Sequence, residues 1–222
     1  MIKGVVFDID GTLLDSTKIW EDVGWNLLQR RGIAADKKCL KRTLLPMSIE
    51  EGAEYLEKRF SLKESQEEII REMLHDVARF YDEEVQPKPG ALALLAGFHR
   101  AGIPMAVATA NDGAVFHKAF ERLGMTEYFQ TTVSCHDVGF PKGYPRVYLR
   151  AAEIIGTLPE DTIVFEDTLR GLKTAALAGF HTVGVKDIQS RDSWKELEEV
   201  AQLMLDSLEE REKINDSFRL EL

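Results

Sequence analysis

The chain has 222 residues, 44% of them hydrophobic and 30% charged, a balance that supports a full core and excludes a disordered or low-complexity protein. A formal net charge of -10 argues against a general binder of nucleic acid or anionic membrane, because phosphate-rich surfaces reward clustered Lys and Arg. No apolar run approaches the ~18 residues of a spanning helix, and Met1-Ile2-Lys3 leads into a strand without a signal-peptide pattern, so a cytoplasmic protein is expected.

In chain order, residues 2–7 (IKGVVF) form an apolar, β-branched run without alternation, as a strand buried on both faces of a parallel sheet requires. Residues 16–85 then carry helical periodicity only: Ile49, Ala53, Leu56 and Phe60 fall on one face, as do Ile69, Met73, Val77 and Phe80. Ser48 with Glu51 has the pattern of a capping box and predicts a helix start. The stiff VQPKPG segment (85–90) returns the chain to further apolar runs at 103–109, 162–167 and 181–185, with a weaker one at 131–135. Helical patterns occupy 113–123, 145–156 and 169–179, the last two closed by Gly156 and Gly179, good residues for a helix C-terminus. From Trp194 onward the chain reads as one amphipathic, charged helix with a short polar end. Cys39 and Cys135 show no metal-binding spacing and are expected as free thiols.

Alternating strands and helices imply right-handed crossovers and an open parallel sheet. The expected fold is α/β, a Rossmann-like parallel sheet flanked by helices, formed by residues 1–15 and 86–222 and carrying a helical insert at 16–85.

Polar groups gather where these runs end. Asp8 and Asp10, two apart in an extended segment, share a face at the carboxyl end of the first strand, the edge at which open α/β sheets bind ligands. Gly11 and Thr12 turn the chain there and offer N–H groups to an anion. VATAN ends in Thr109 and Asn111, TIVFED ends in Glu166 and Asp167, and Lys142 follows the weaker strand. Four close carboxylates cannot all ionise without a cation, and the hard Mg²⁺ ion suits an all-oxygen set. With Mg²⁺ and Lys142 to neutralise its oxygens, even an acidic protein can receive a phosphate monoester.

FDIDGT, the VATAN threonine, the Lys142 segment and VFEDTLRG with its downstream AALAG resemble the four motifs of the haloacid dehalogenase superfamily. The helical insert resembles that superfamily's first type of cap domain, as in its β-phosphoglucomutase-like and phosphoglycolate phosphatase-like members. The resemblance implies that Asp8 is the nucleophile, forming an aspartyl-phosphate, and that Asp10 is the general acid and then the base. It implies Mg²⁺ held by Asp8, the Asp10 carbonyl oxygen and Asp167, with Glu166 assisting directly or through water. The phosphate-binding set it implies is Gly11, Thr12, Thr109, Ala110, Asn111 and Lys142, with Lys142 also restraining Asp8.

Retention of Asp10 favours phosphoester chemistry, since dehalogenases and phosphonate-cleaving relatives lack an acid there and P-type ATPases carry Lys. Against the mutase, Ile49 stands where β-phosphoglucomutase has a cap arginine, Trp20 where it has His, and Asp112 where it has Lys. None of the three suits a second phosphate, so a phosphatase of small phosphomonoesters, sugar or polyol phosphates first, is expected. The mutase is the runner-up, and a binding or regulatory protein on the same fold is the alternative of another class. Trp20, Met47 and Ile49 are candidates for the cap's substrate-facing mouth, although Trp20 with Val23 and Leu27 also has the spacing of a core face. Relatives often read Lys-Pro-x-Pro-Asp where this chain has Lys142-Gly143-Tyr144-Pro145-Arg146, which bears on how Lys142 is placed. His117 and His136 are more readily surface or packing residues than site residues. The expected partner is a small phosphorylated metabolite, with no nucleic acid or membrane partner and a monomeric state.

Overall fold

Two serines start two of the helices between residues 16 and 84. In the computed structural model, which describes residues 1–44, 47–111 and 113–222 apart from the Ala114 side chain, the helices here are Thr17–Arg30 (α1), Lys37–Leu44 (α2), Ile49–Phe60 (α3) and Gln66–Glu83 (α4). Ser48 Oγ accepts the Glu51 N–H at 3.2 Å while the Glu51 carboxylate accepts the Ser48 N–H at 2.8 Å. Ser65 and Glu68 repeat the arrangement at the head of α4. Each box satisfies two N–H groups that a helix start leaves unpaired. The apolar faces meet over Val23, Leu27, Ala53, Leu56, Ile69, Met73, Val77 and Tyr81, all buried. Tyr81 fills the place expected for Phe80, which is half-buried like Phe60.

These residues, Ser16–Glu84, form one compact unit, and Met1–Asp15 with Val85–Leu222 form the other. Val85, which the sequence pattern put in the helical insert, belongs to the sheet-bearing unit. It is 1% exposed, and its carbonyl accepts from Arg122 Nη2 at 2.7 Å.

The larger unit is built on a parallel sheet of Gly4–Phe7 (β1), Met105–Thr109 (β2), Thr131–Ser134 (β3), Thr162–Glu166 (β4), His181–Val185 (β5) and Leu203–Leu205 (β6), in the order β3-β2-β1-β4-β5-β6. Its helices are Ala91–Arg100 (α5), Gly113–Arg122 (α6), Cys135–Val138 (α7), Arg146–Ile154 (α8), Leu169–Leu177 (α9), Trp194–Val200 (α10) and Arg211–Phe218 (α11). Central strands covered on both faces take apolar side chains along their interior, and β1, β2 and β4 are buried throughout, with polar residues only at strand ends. On one face Val6, Ala106, Ala108 and Val164 meet Val147, Tyr148, Ala151 and Ala152 of α8. On the other, Phe7 stacks on its register partner Phe165, ring centroids 4.6 Å apart, and meets Phe98 of α5 edge-on. Gly156 and Gly179 take φ values of 75° and 89° and close α8 and α9, as their spacing indicates.

The segment from Trp194 is not one helix. Ala201 turns extended, Leu203–Leu205 pairs in parallel with Val183–Val185, and α11 follows. The partner strand lies about twenty residues away, so the pairing outweighs the local helical pattern. No helix among the described residues is long and apolar enough to cross a membrane.

Candidate active site

The strand order reverses direction at β1, and ligand crevices in such sheets open at the carboxyl ends beside that point. Asp8 directly follows β1, Thr109 ends β2, Glu166 ends β4 and Asp167 follows it. Asp8, Glu166 and Asp167 are all buried, each with a carboxylate oxygen within 4.8 Å of the others.

Lys142 joins two of them. Its ammonium donates to Asp8 Oδ1 and, at 2.7 Å, to Glu166 Oε1, with its side chain 11% exposed. The absence of the usual Pro and Asp after Lys142 therefore does not displace it: Gly143 is packed beneath the Arg170 guanidinium, and Arg146 lies 4.1 Å from the Phe140 ring centroid in place of an acid's salt bridge.

Glu166 has both oxygens engaged. Oε1 accepts from Lys142 and from Tyr148 Oη at 2.9 Å; Oε2 accepts from the Thr168 N–H and Oγ, each at 2.9 Å. Gly171 lets α9 begin this close, because a Cβ there would overlap Glu166 Oε1 and Tyr148 Oη. Asp167 is the opposite case: its Oδ1 is buried with no hydrogen-bond partner among the described residues. An orphaned carboxylate oxygen beside two further buried carboxylates is what a cation would satisfy, and the all-oxygen donor set fits a hard divalent ion such as Mg²⁺.

Thr12 Oγ donates to Asp8 Oδ2 at 3.3 Å, Asn111 Nδ2 donates to Asp10 Oδ2, and Thr109 Oγ accepts the Asn111 N–H at 3.0 Å. Thr109 is fully buried, and Ala110 beside it is exposed. The expectation that the Gly11 and Thr12 N–H groups face an anion needs correction. Gly11 N–H donates to Leu14 O at 3.0 Å and Thr12 N–H to Ile9 O at 3.3 Å, so both close the turn instead. Gly11 is required there, since its φ is +78° and a Cβ would overlap Asp167 Oδ2.

Trp20, Met47 and Ile49 belong to the helical unit and are each half-buried; Trp20 Nε1 donates to Tyr81 Oη at 3.3 Å. Asp112 lies outside the described residues. His117 and His136 are exposed, and Cys39 and Cys135 are free thiols.

Two residues that hold Glu166 escaped the sequence reading, Tyr148 and Thr168, and so did the pair beside the Gly11 turn, Lys88 Nζ and Asp187 Oδ2 at 2.9 Å. Thr168 caps α9 by accepting the Gly171 N–H, a Thr-x-x-Gly pattern that was visible. Asp187 comes two residues after the apolar strand β5, a related signal at a fifth strand end. Tyr148 carried no signal beyond its place on an apolar helix face.

Burial raises the Asp8 carboxyl to about 7, with Glu166 and Asp10 adding to the rise and Lys142 opposing it. Burial also pushes Asp167 well up, reinforced by Glu166 and Asp8. Glu166 pays the same desolvation, yet Lys142 and Thr168 hold it below its usual range. An acid raised in the folded state stabilises fully below its unfolded value, and that contribution is lost as pH climbs through the folded value. The metal-free protein is therefore expected to lose thermal stability from about pH 5 to about pH 8. A divalent ion held by the ionised carboxylates would raise the midpoint more at the upper pH, by the equivalent of ~2.7 kcal/mol at a hundredfold excess over its dissociation constant. Differential scanning calorimetry with Mg²⁺ or EDTA at the two pH values checks this.

Residues 2–179 match the family model of haloacid dehalogenase-like hydrolases, and the chain belongs to that family of enzymes. Among its relatives is hexitol phosphatase A of Escherichia coli strain K12, 29% identical over 185 residues that cover 82% of each chain. A phosphorylated carbohydrates phosphatase of Thermotoga maritima is 26% identical over 182 residues, 82% of this chain and 84% of that one. A candidate β-phosphoglucomutase of Thermotoga maritima shares the fold with a TM-score of 0.83 and 24% identity, covering 98% of this chain and 99% of its own.

Proposed function

We propose that the chain is a Mg²⁺-dependent phosphatase of small phosphomonoesters, sugar or polyol phosphates foremost, working through an aspartyl-phosphate on Asp8. The observation that carries this reading is the buried triad of Asp8, Glu166 and Asp167 with Lys142 set between the first two. Family membership and the sugar-phosphate phosphatases among the relatives support it.

In this reading Asp8, Asp167 and the Asp10 carbonyl oxygen would hold the ion, and Glu166, its oxygens already engaged, steadies Lys142 and would act on the ion indirectly. Bound Mg²⁺ supplies charge neutralisation for the phosphoryl oxygens. Lys142 keeps an Asp8 oxygen fixed for in-line attack on phosphorus and neutralises charge beside it. Asp10, oriented by Asn111, gives its proton to the departing alkoxide and then takes one from the water that opens the aspartyl-phosphate. Thr109 and Asn111 form the cradle for the transferring group, with Ala110 at its rim. The helical unit serves as the cap that the family resemblance implies, and Trp20, Met47 and Ile49 are its candidates for contact with the organic part of the substrate.

Phosphate release from hexitol, aldose and ketose phosphates, with Mg²⁺ and with EDTA, tests the reading. Metal-dependent release from several of them is expected. Interconversion of sugar 1- and 6-phosphates with a bisphosphate activator and no net release would put a mutase in its place. Inertness toward every ester would leave a binding role.

A further inference from the structure

We infer that Lys88, paired with Asp187, is a positioning residue for the reaction proposed above: it fixes the Gly11 turn and through it the aim of Asp10. The inference rests on that reading of the site.

Lys88 comes from the segment that joins the helical stretch to α5, where Pro87 and Pro89 restrict the backbone. That segment lies antiparallel to residues 13–15. Lys88 N–H donates to Leu13 O at 2.8 Å, Asp15 N–H donates to Gln86 O at 2.9 Å, and Leu14 bridges to Pro87. The side chain is thereby directed at the turn after Asp10. Its ammonium donates to Gly11 O at 2.8 Å, Lys186 O at 3.0 Å and Asp187 Oδ2 at 2.9 Å. An ammonium has three protons, and each has an acceptor.

The far end of this clamp is itself fixed. Asp187 Oδ1 accepts the Gln189 N–H at 3.0 Å, and its carbonyl accepts from Trp194 Nε1 at 3.0 Å and from Ser190 Oγ at 3.1 Å. The pair is buried, with side chains 14% and 4% exposed for Lys88 and Asp187. Buried ion pairs are weak devices for stability, because desolvation offsets their attraction, whereas they fix geometry well. The geometry fixed here is a glycine carbonyl one peptide beyond Asp10, in a turn already wedged against Asp167. No other lysine in the larger unit joins the post-β1 turn to the end of β5 among the hydrogen bonds of the described residues.

If Lys88 aims Asp10, its loss falls on both steps assigned to Asp10, and kcat/KM isolates the first, in which the leaving group takes a proton, because it covers no step after the alcohol departs. p-Nitrophenolate leaves with little need of protonation, whereas an alkoxide needs it. For Lys88→Met with saturating Mg²⁺, kcat/KM on glycerol phosphate is expected to fall at least about tenfold further than kcat/KM on p-nitrophenyl phosphate. Asp10→Asn supplies the reference for that leaving-group signature. Should Lys88→Met not fold, Asp187→Asn, which keeps an acceptor for Gln189 and removes the countercharge, carries the same comparison with a smaller loss in the same direction. Equal losses on the two esters, or none, would overturn the inference while leaving the phosphatase reading intact. A wild-type protein inert toward both esters would overturn that reading and the inference with it.

Discussion

Asp8→Asn should abolish phosphate release, by at least about a thousandfold, while leaving the protein folded and no less stable. The amide oxygen can still accept from Lys142, so the local contacts survive, but it cannot attack phosphorus as a carboxylate does. The stability half follows from the raised Asp8 carboxyl: burial makes its ionisation unfavourable, and a neutral amide removes that cost. Without metal, the thermal midpoint of the variant near pH 8 is expected to equal or exceed that of the wild type. Phosphate release and calorimetry on the same preparations check both halves.

Lys142→Met is expected to lose activity and stability together. Removing the ammonium leaves Glu166, which is fully buried, and Asp8 facing each other without their shared cation. Stripping one partner from a buried pair costs about 3–5 kcal/mol, since an uncompensated charge remains behind. The Tyr148 and Thr168 bonds to Glu166 would keep the loss at the lower end of that span. Turnover should drop by about a hundredfold or more, as for loss of any fixed positive group at developing phosphoryl charge. Urea denaturation with phosphate-release kinetics separates this outcome from that of Asp8→Asn, in which only turnover is lost.

Much of this arrangement was legible from residue order. Apolar strands that end in carboxylates are unusual enough for Asp8, Asp10, Glu166 and Asp167 to stand out, and Ser48 with Glu51 announced a helix through backbone chemistry that acts within four residues. What stayed hidden depends on distant partners. β6 has three residues in a Glu-rich stretch, and its apolar positions continue the spacing of Trp194 and Leu197, so only the free edge of β5 makes it a strand. That the Gly11 and Thr12 N–H groups bond to Leu14 and Ile9 within the turn cannot be read from composition. Tyr148 reaches Glu166 from a helix face whose apolar spacing announced packing alone. Lys88 and Asp187, 99 residues apart, meet only because β5 and the 85–90 segment flank the same turn.

The central claim is that buried carboxylates with raised proton affinity gather one divalent ion. Titration calorimetry of Mg²⁺ into the wild type and Asp167→Asn near pH 7, in buffers of different ionisation enthalpy, tests it most directly. The account predicts one ion per wild-type chain, protons released on binding, and an affinity at least about tenfold weaker in the variant. Binding that is absent, that releases no protons, or that is unchanged by the loss of the Asp167 carboxylate would contradict it.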